Sequence, residues 1–211
     1  HARAVGPCVF CGGGEGHPQG RDTPWGPACG DFPKTPPGGR PAGWPGGGGG
    51  VPPPPADLAG TVDAFFVIVT ADEALEAVLT GPEGVLGGLA EDTVVVNMST
   101  VSVDATEGAD EAVRAAGGRF VDAPVAGTVG PAEAGTLTVL VGGDDADLEA
   151  VRPVLDVMGE PVVHCGPVGT GTKTKLFVNL LLGNVLQAYA EALVFGRAQG
   201  PSFDPIPGGI V

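Results

Sequence analysis

The sequence predicts an α/β fold in which a mostly parallel sheet carries helices on its faces and is followed by one long helix. Three observations predict it. Apolar runs of strand length alternate with stretches whose apolar residues recur at helical spacing, the connections between them are short, and residues 175–199 contain no proline.

Residues 64–69 (Ala-Phe-Phe-Val-Ile-Val) form an unbroken apolar run, the pattern of a strand covered on both faces. Thr70-Ala71-Asp72 then opens a helix with Leu75, Val78 and Leu79 on one face. Gly81-Pro82 breaks it, and a short helical piece runs towards Leu89. Residues 93–98 give the second buried strand, with Ser99-Thr100 just past its carboxyl end. Residues 103–116 read as a helix ended by Gly117-Gly118. A third strand over 120–125, a fourth over 136–141, a helix over 147–158 and a fifth strand over 161–164 complete the sheet.

The last helix repeats Leu176, Leu180, Leu182, Leu186 and Leu193. At a rise of about 1.5 Å per residue it exceeds about 35 Å, too long to cover one strand. It is expected to leave the sheet domain and enter a second, helical one. Little of that domain follows, because Pro201, Pro205, Pro207 and Gly208-Gly209 end the helix.

Composition divides the chain near residue 56. Half of residues 1–50 are Gly or Pro, culminating in Gly46 to Gly50 and Pro52 to Pro55. Such a stretch loses the most backbone entropy on ordering and supports few helix or sheet hydrogen bonds, so residues 1–56 are expected to be disordered. The expected organisation is therefore 1–56 without a core, 57–168 as the sheet domain, 169–200 as the long helix opening a helical domain, and 201–211 as a disordered tail. Cys8, Cys11, His17 and Cys29 have the residue types of a zinc site, but the spacing is irregular and no second Cys-x-x-Cys exists. No metal is expected.

The 211 residues carry 10 Lys and Arg against 25 Asp and Glu, a net charge of −15. Nucleic acid is a poor partner for such a chain, since binding phosphates needs clustered cations. There is no apolar run of about 18 residues, so a membrane span is excluded on this reading, and anionic membranes are poor partners for so acidic a chain. A soluble, cytoplasmic protein is expected, and the lone Cys165 beyond the first segment agrees with a reducing compartment.

Three segments carry chemistry, each at a strand end or a helix start, where open α/β sheets bind ligands. The first is Asp122-Ala-Pro-Val-Ala-Gly-Thr-Val-Gly-Pro-Ala-Glu-Ala-Gly-Thr-Leu-Thr138, a strand, a Gly-rich loop and another strand. Gly127, Gly130 and Gly135 allow the backbone to approach a small ligand. The second, Gly169-Thr-Gly-Thr-Lys-Thr-Lys175-Leu-Phe-Val-Asn179, opens a helix with Lys175 and Asn179 four apart on one face, while Lys173 points roughly the opposite way. A Lys and an Asn so placed can hold a substrate hydroxyl and exchange its proton. The third is Asn97-Met-Ser-Thr100, whose hydroxyls follow a strand.

In order and spacing, these segments resemble the β-hydroxyacid dehydrogenase family, which includes 3-hydroxyisobutyrate dehydrogenase, tartronate semialdehyde reductase and the 6-phosphogluconate dehydrogenases. The resemblance covers roughly residues 57–200. It implies an incomplete Rossmann-like dinucleotide-binding domain, a long helix leading into a truncated all-α domain, NAD or NADP as cofactor, a small hydroxy-acid substrate, and a homo-oligomer when intact. By the resemblance, Lys175 is the catalytic lysine and Asn179 its companion on the substrate. Ala126, Gly127 and Thr128 lie in the substrate-carboxylate loop, Thr100 near the nicotinamide ribose, and Val69-Thr70 along the cofactor.

The chemistry is consistent with these roles. Hydride leaves a carbinol carbon as its hydroxyl loses a proton, so a proton acceptor must sit within about 3 Å of that oxygen. Neutral Lys175 can serve, given burial that lowers its pKa from about 10.4. In reduction the protonated form serves as acid.

Two departures from the family stand out. The substrate loop has Ala126 where the family usually has serine, and Thr128 where it often has glycine. The place of the family's Gly-x-Gly-x-x-Gly turn holds Cys11-Gly-Gly-Gly-Glu-Gly-His17 with no strand before it. Residues 1 to about 55 nearly equal the missing half-domain in length, and the expectation is that they are an out-of-frame reading or a damaged gene end, with the tail after Gly200 cut or shifted. The alternative to an active dehydrogenase is an inactive fragment, or a non-catalytic binding or dimerisation module, of the same descent.

Overall fold

The computed structural model describes residues 54–198. The candidate zinc residues, the Cys11–His17 turn, the proposed frame-shifted segment up to residue 53 and the tail from residue 201 lie outside the described residues. Pro55 and Ala56, expected to be without structure, belong to the first helix, α1 (Pro55–Ala59).

The chain divides into two units after Lys175. In the first, α1 is followed by β1 (Ala64–Val67), α2 (Asp72–Thr80), a 3-10 turn (Val85–Gly87), β2 (Val94–Asn97), α3 (Val103–Ala115), β3 (Arg119–Asp122), β4 (Val125–Ala126), α4 (Val129–Ala134), β5 (Thr138–Gly142), α5 (Asp145–Met158) and β6 (Val162–Gly166). β1, β2 and β3 run parallel, β5 is antiparallel to β3 and β4, and β6 is parallel to β5. The expected mostly parallel α/β sheet is present.

Side chains alternate across a sheet, and the register shows how the unbroken apolar runs are used. Phe65, Val95 and Phe120 are aligned on neighbouring strands and pack on one face with Leu75 and Leu79 of α2 and Val113 of α3. Phe66, Val96 and Val121 are the next aligned set, and they pack on the opposite face with Leu148, Val151 and Leu155 of α5. β1 is apolar throughout, and β2 up to Asn97, because each face of the sheet has its own helical cover.

Two elements differ from expectation. The third strand was expected to continue to Val125, but β3 stops at Asp122 and pairing resumes only at Val125. Pro124 has no N–H to give the ladder, although its carbonyl accepts from Leu140 N at 2.9 Å. The glycine-rich loop was expected to have no helix, yet it contains α4, entered from Thr128 and closed by Gly135 at φ +68°. Only glycine takes that left-handed closing conformation cheaply.

α6 (Thr170–Ala198) is one continuous helix that starts in the first unit. The portion in the second unit exposes Phe177, Leu180, Leu181, Leu186 and Phe195. The exclusion of a membrane-crossing segment needs correction. α6 is long and apolar enough to cross a bilayer by length and composition, with a mean hydropathy of 1.3 over its best window. Its apolar residues are interrupted by small and polar ones, so a search for an unbroken run passes over it.

Candidate active site

The carboxyl ends of β1, β2 and β3 share one edge of the sheet, because the three strands are parallel and in register. Val69-Thr70, Ser99-Thr100 and the segment from Asp122 to Thr128 follow those ends. The site residues named from sequence on these segments therefore belong to one edge, the edge where α/β sheets take ligands.

The first two segments are tied together by a residue to which the sequence reading gave no separate role. The buried Ser99 hydroxyl accepts a hydrogen bond from Val69 N–H at 2.9 Å. Ser99 N–H in turn donates to the Asn97 side-chain oxygen at 3.1 Å. Thr70 and Thr100 remain exposed. The helix cap after β2 is Ser102, whose hydroxyl accepts from Ala105 N–H and whose own N–H donates to Asp72. The hydrogen bonds from Ser102 hold the Asp72 carboxyl below its ordinary pKa. The Asn97 side-chain nitrogen is buried and has no partner among the described residues.

In the loop after β3, Ala126 lies opposite Thr138 on β5. Gly127 has φ +149°, and a Cβ there would lie 2.6 Å from the end of Leu137 and 3.3 Å from Pro131. Both the backbone angle and the packing call for glycine. Thr128 is exposed and leads into α4.

The start of α6 is built around Asp122, which is fully buried. One carboxylate oxygen accepts from Gly169 N–H and the other from Thr172 N–H, each at 2.7 Å. Burial pushes the Asp122 pKa up, and these hydrogen bonds, with one from the Thr172 hydroxyl, oppose the rise. The Thr172 hydroxyl also meets that of Thr106 on α3 at 3.2 Å. Gly171 allows the close approach: a Cβ there would press on Leu140 O and lie 2.8 Å from Gly142 N and 2.9 Å from an Asp122 oxygen. The sequence signal for this junction was an acidic residue closing an apolar strand, together with glycines opening a helix. Neither indicated that they bond to each other across 47 residues.

The two lysines of this turn differ. Lys173 is exposed and pairs with Glu107 at 3.0 Å. Lys175 is partly buried, has no ion pair among the described residues, and burial alone lowers its pKa. Asn179 is exposed, farther along α6 in the second unit.

Residues 48–166, more than half of the chain, match the family described as the NAD binding domain of 6-phosphogluconate dehydrogenase. The chain belongs to this family. Members of the wider 6-phosphogluconate and hydroxyacid dehydrogenase group are also its relatives. It is 41% identical over 139 residues to 2-(hydroxymethyl)glutarate dehydrogenase of Eubacterium barkeri, covering 66% of this chain and 46% of that protein. It is 36% identical over 133 residues to 3-hydroxyisobutyrate dehydrogenase of Pseudomonas aeruginosa, covering 63% and 45%. The chain thus spans just under half the length of these relatives. Among solved structures, Mycobacterium tuberculosis 3-hydroxyisobutyrate dehydrogenase with L-serine superposes with a TM-score of 0.64 at 31% identity, over 70% of this chain and half of that one.

A 6-phosphogluconate dehydrogenase-type NAD domain accounts for the sheet and its parallel edge. The chain's descent as an oxidoreductase and its Rossmann-like fold rest on these matches.

Proposed function

We propose that the intact protein is an NAD(P)-dependent oxidoreductase that transfers hydride between the nicotinamide cofactor and a small 3-hydroxy acid such as 3-hydroxyisobutyrate. Lys175 is the proton-transfer group and Asn179 its companion on the substrate. The observation that carries the reading is the state of Lys175: partly buried, without a counter-ion among the described residues, its pKa lowered by burial, and one turn beyond a helix start bonded to the strand that opens the Gly127 loop. Relatives whose names specify hydroxylated carboxylic acids support the substrate class.

The described residues fit the nicotinamide half of a dinucleotide. Val69-Thr70 and Thr100 offer exposed or edge positions at adjacent strand ends, and Ser99 fixes the two turns against each other. When bound, the nicotinamide supplies the hydride acceptor or donor. Ala126, Gly127 and Thr128 hold the substrate carboxylate, with the N–H groups and the Thr128 hydroxyl replacing the serine hydroxyl that Ala126 lacks. In oxidation neutral Lys175 accepts the proton of the substrate hydroxyl; in reduction its ammonium returns one to the carbonyl oxygen. Lowering the lysine pKa towards the working pH helps in both directions, because the group must change charge in each turnover. Association of identical chains belongs to the same proposal, supported by the apolar residues exposed on α6.

The test is direct. Nicotinamide cofactor binding, followed by NADH fluorescence and thermal shift with NAD and NADP, should be saturable. Turnover of 3-hydroxyisobutyrate and related 3-hydroxy acids should fall by roughly two to four orders of magnitude in Lys175→Ala, the usual size of a general acid-base contribution, with cofactor affinity unchanged. Cofactor binding without turnover of any 3-hydroxy acid selects the non-catalytic module instead.

A further inference from the structure

We propose that Asp122 is a positioning residue for Lys175, its buried carboxylate clamping the first turn of α6 to the end of β3 and so setting where the lysine stands against the Gly127 loop. The proposal rests on the role given above to Lys175, but the clamp can be measured without turnover.

The geometry singles out Asp122 among the contacts that hold this turn. Its two oxygens each take one backbone N–H at 2.7 Å, from Gly169 before the helix and from Thr172 inside it. A carboxylate at this position satisfies donors that the helix itself leaves free, and it fixes both rotation and height of the turn because the two bonds diverge from one side chain. Lys175 follows Thr172 by three residues, about 4.5 Å along the axis, so the clamped turn carries it directly. The other polar ties are weaker. The Lys173–Glu107 pair is exposed on both sides, and such pairs contribute little. The Thr106–Thr172 contact joins two neutral hydroxyls.

Asp122 also heads the segment that becomes β4 and the Gly127 loop. One side chain therefore joins the two segments that the sequence shows 47 residues apart. Gly142 and Gly171 make the room the carboxylate occupies, since a Cβ on either would crowd an Asp122 oxygen. Burial, not a neighbouring charge, lowers the Lys175 pKa. The influence of Asp122 on the lysine is thus one of placement: loosening the turn would return Lys175 to water.

Asp122→Asn is the decisive substitution, because an amide has one acceptor oxygen and its N–H₂ must face either Gly169 N–H or Thr172 N–H. The full chain is used. Hydrogen exchange is followed over residues 169–172 and over β1 and β2, and the pH dependence of Lys175 acetylation by limiting acetic anhydride is read by mass spectrometry. The expected result is exchange at least about tenfold faster in residues 169–172, unchanged protection in β1 and β2, and a Lys175 titration midpoint raised towards that of an ordinary lysine. An unmoved midpoint in a folded variant overturns the proposal, as does exchange that accelerates equally across the sheet. If Asp122→Asn does not fold, Thr172→Val decides: it keeps both N–H bonds to Asp122 and deletes only the hydroxyl tie, so the midpoint is expected to stay at the wild-type value, and a midpoint raised to that of an ordinary lysine assigns the placement to the hydroxyl contact and overturns the proposal. Failure of the hydroxy-acid reading is seen separately, as cofactor binding without turnover of any 3-hydroxy acid, and failure of the lysine's role as Lys175→Ala retaining full turnover.

Discussion

Ser99→Ala tests the link between two strand ends. In the native chain Val69 N–H donates to the Ser99 hydroxyl at 2.9 Å, and both residues are buried, Val69 to 6% and Ser99 to 1% exposure. Alanine deletes the acceptor and leaves too little access for water to replace it. The cost is that of an unsatisfied buried donor, about 1–3 kcal/mol, rather than the smaller net value of an average hydrogen bond. For a chain of 211 residues, a loss of about 2 kcal/mol lowers Tm by roughly 4–8 °C. Urea denaturation followed by circular dichroism measures the free energy, and thermal melts with and without NAD measure the effect on the cofactor edge. The expected outcome is destabilisation of about 2 kcal/mol and a smaller NAD-induced shift. Thr100→Ala, at an exposed position, should stay within about 0.5 kcal/mol. Equal, small effects of the two substitutions would refute the reasoning, because the buried bond would then carry no special weight.

Three further outcomes are expected. Gly171→Ala should destabilise by roughly 1–3 kcal/mol or more, since its Cβ meets backbone atoms of β5 and an Asp122 oxygen and the helix start must move; calorimetry measures it, and a neutral variant contradicts the packing. Gly127→Ala should weaken hydroxy-acid binding more than cofactor binding, because φ +149° and the Leu137 and Pro131 contacts force the loop to rearrange; isothermal titration of each ligand separates the two. Lys175→Met should be more stable than the native chain at neutral pH. The folded lysine has a lowered pKa, so between that value and about 10.4 the unfolded chain holds more protons, and the native chain gains stability as pH rises through this window. The advantage of Lys175→Met should therefore shrink as pH is raised, and an advantage constant with pH up to 11 would contradict the lowered pKa.

The fold was legible to the extent that it followed from local patterns. Apolar runs at residues 64–69 and 93–98 became β1 and β2, and they are apolar on both sets of alternate positions because each face meets a different helix. α3 ends before Gly117, which takes φ +84°. The pattern faltered around residues 123–138. Pro124 splits a stretch, residues 120–125, that was read as one strand, and α4 is too short and too rich in glycine and proline for helical periodicity to be seen. α6 was read correctly as one helix, but its fitness for a bilayer was missed because an unbroken run is a narrower criterion than mean hydropathy.

Sequence by itself determined the residue types, the order and approximate places of most strands and helices, and the spacing that places Lys175 and Asn179 on one long helix. Tertiary structure decided which distant backbone donors meet the Asp122 carboxylate, which serine joins β1 to β2, and which of two neighbouring lysines is drawn out of water. The physical reason is that periodicity reports which face of an element is buried, whereas a hydrogen bond between residues 122 and 169 depends on the rotation and height at which two elements dock, and those are set by packing on both faces of the sheet.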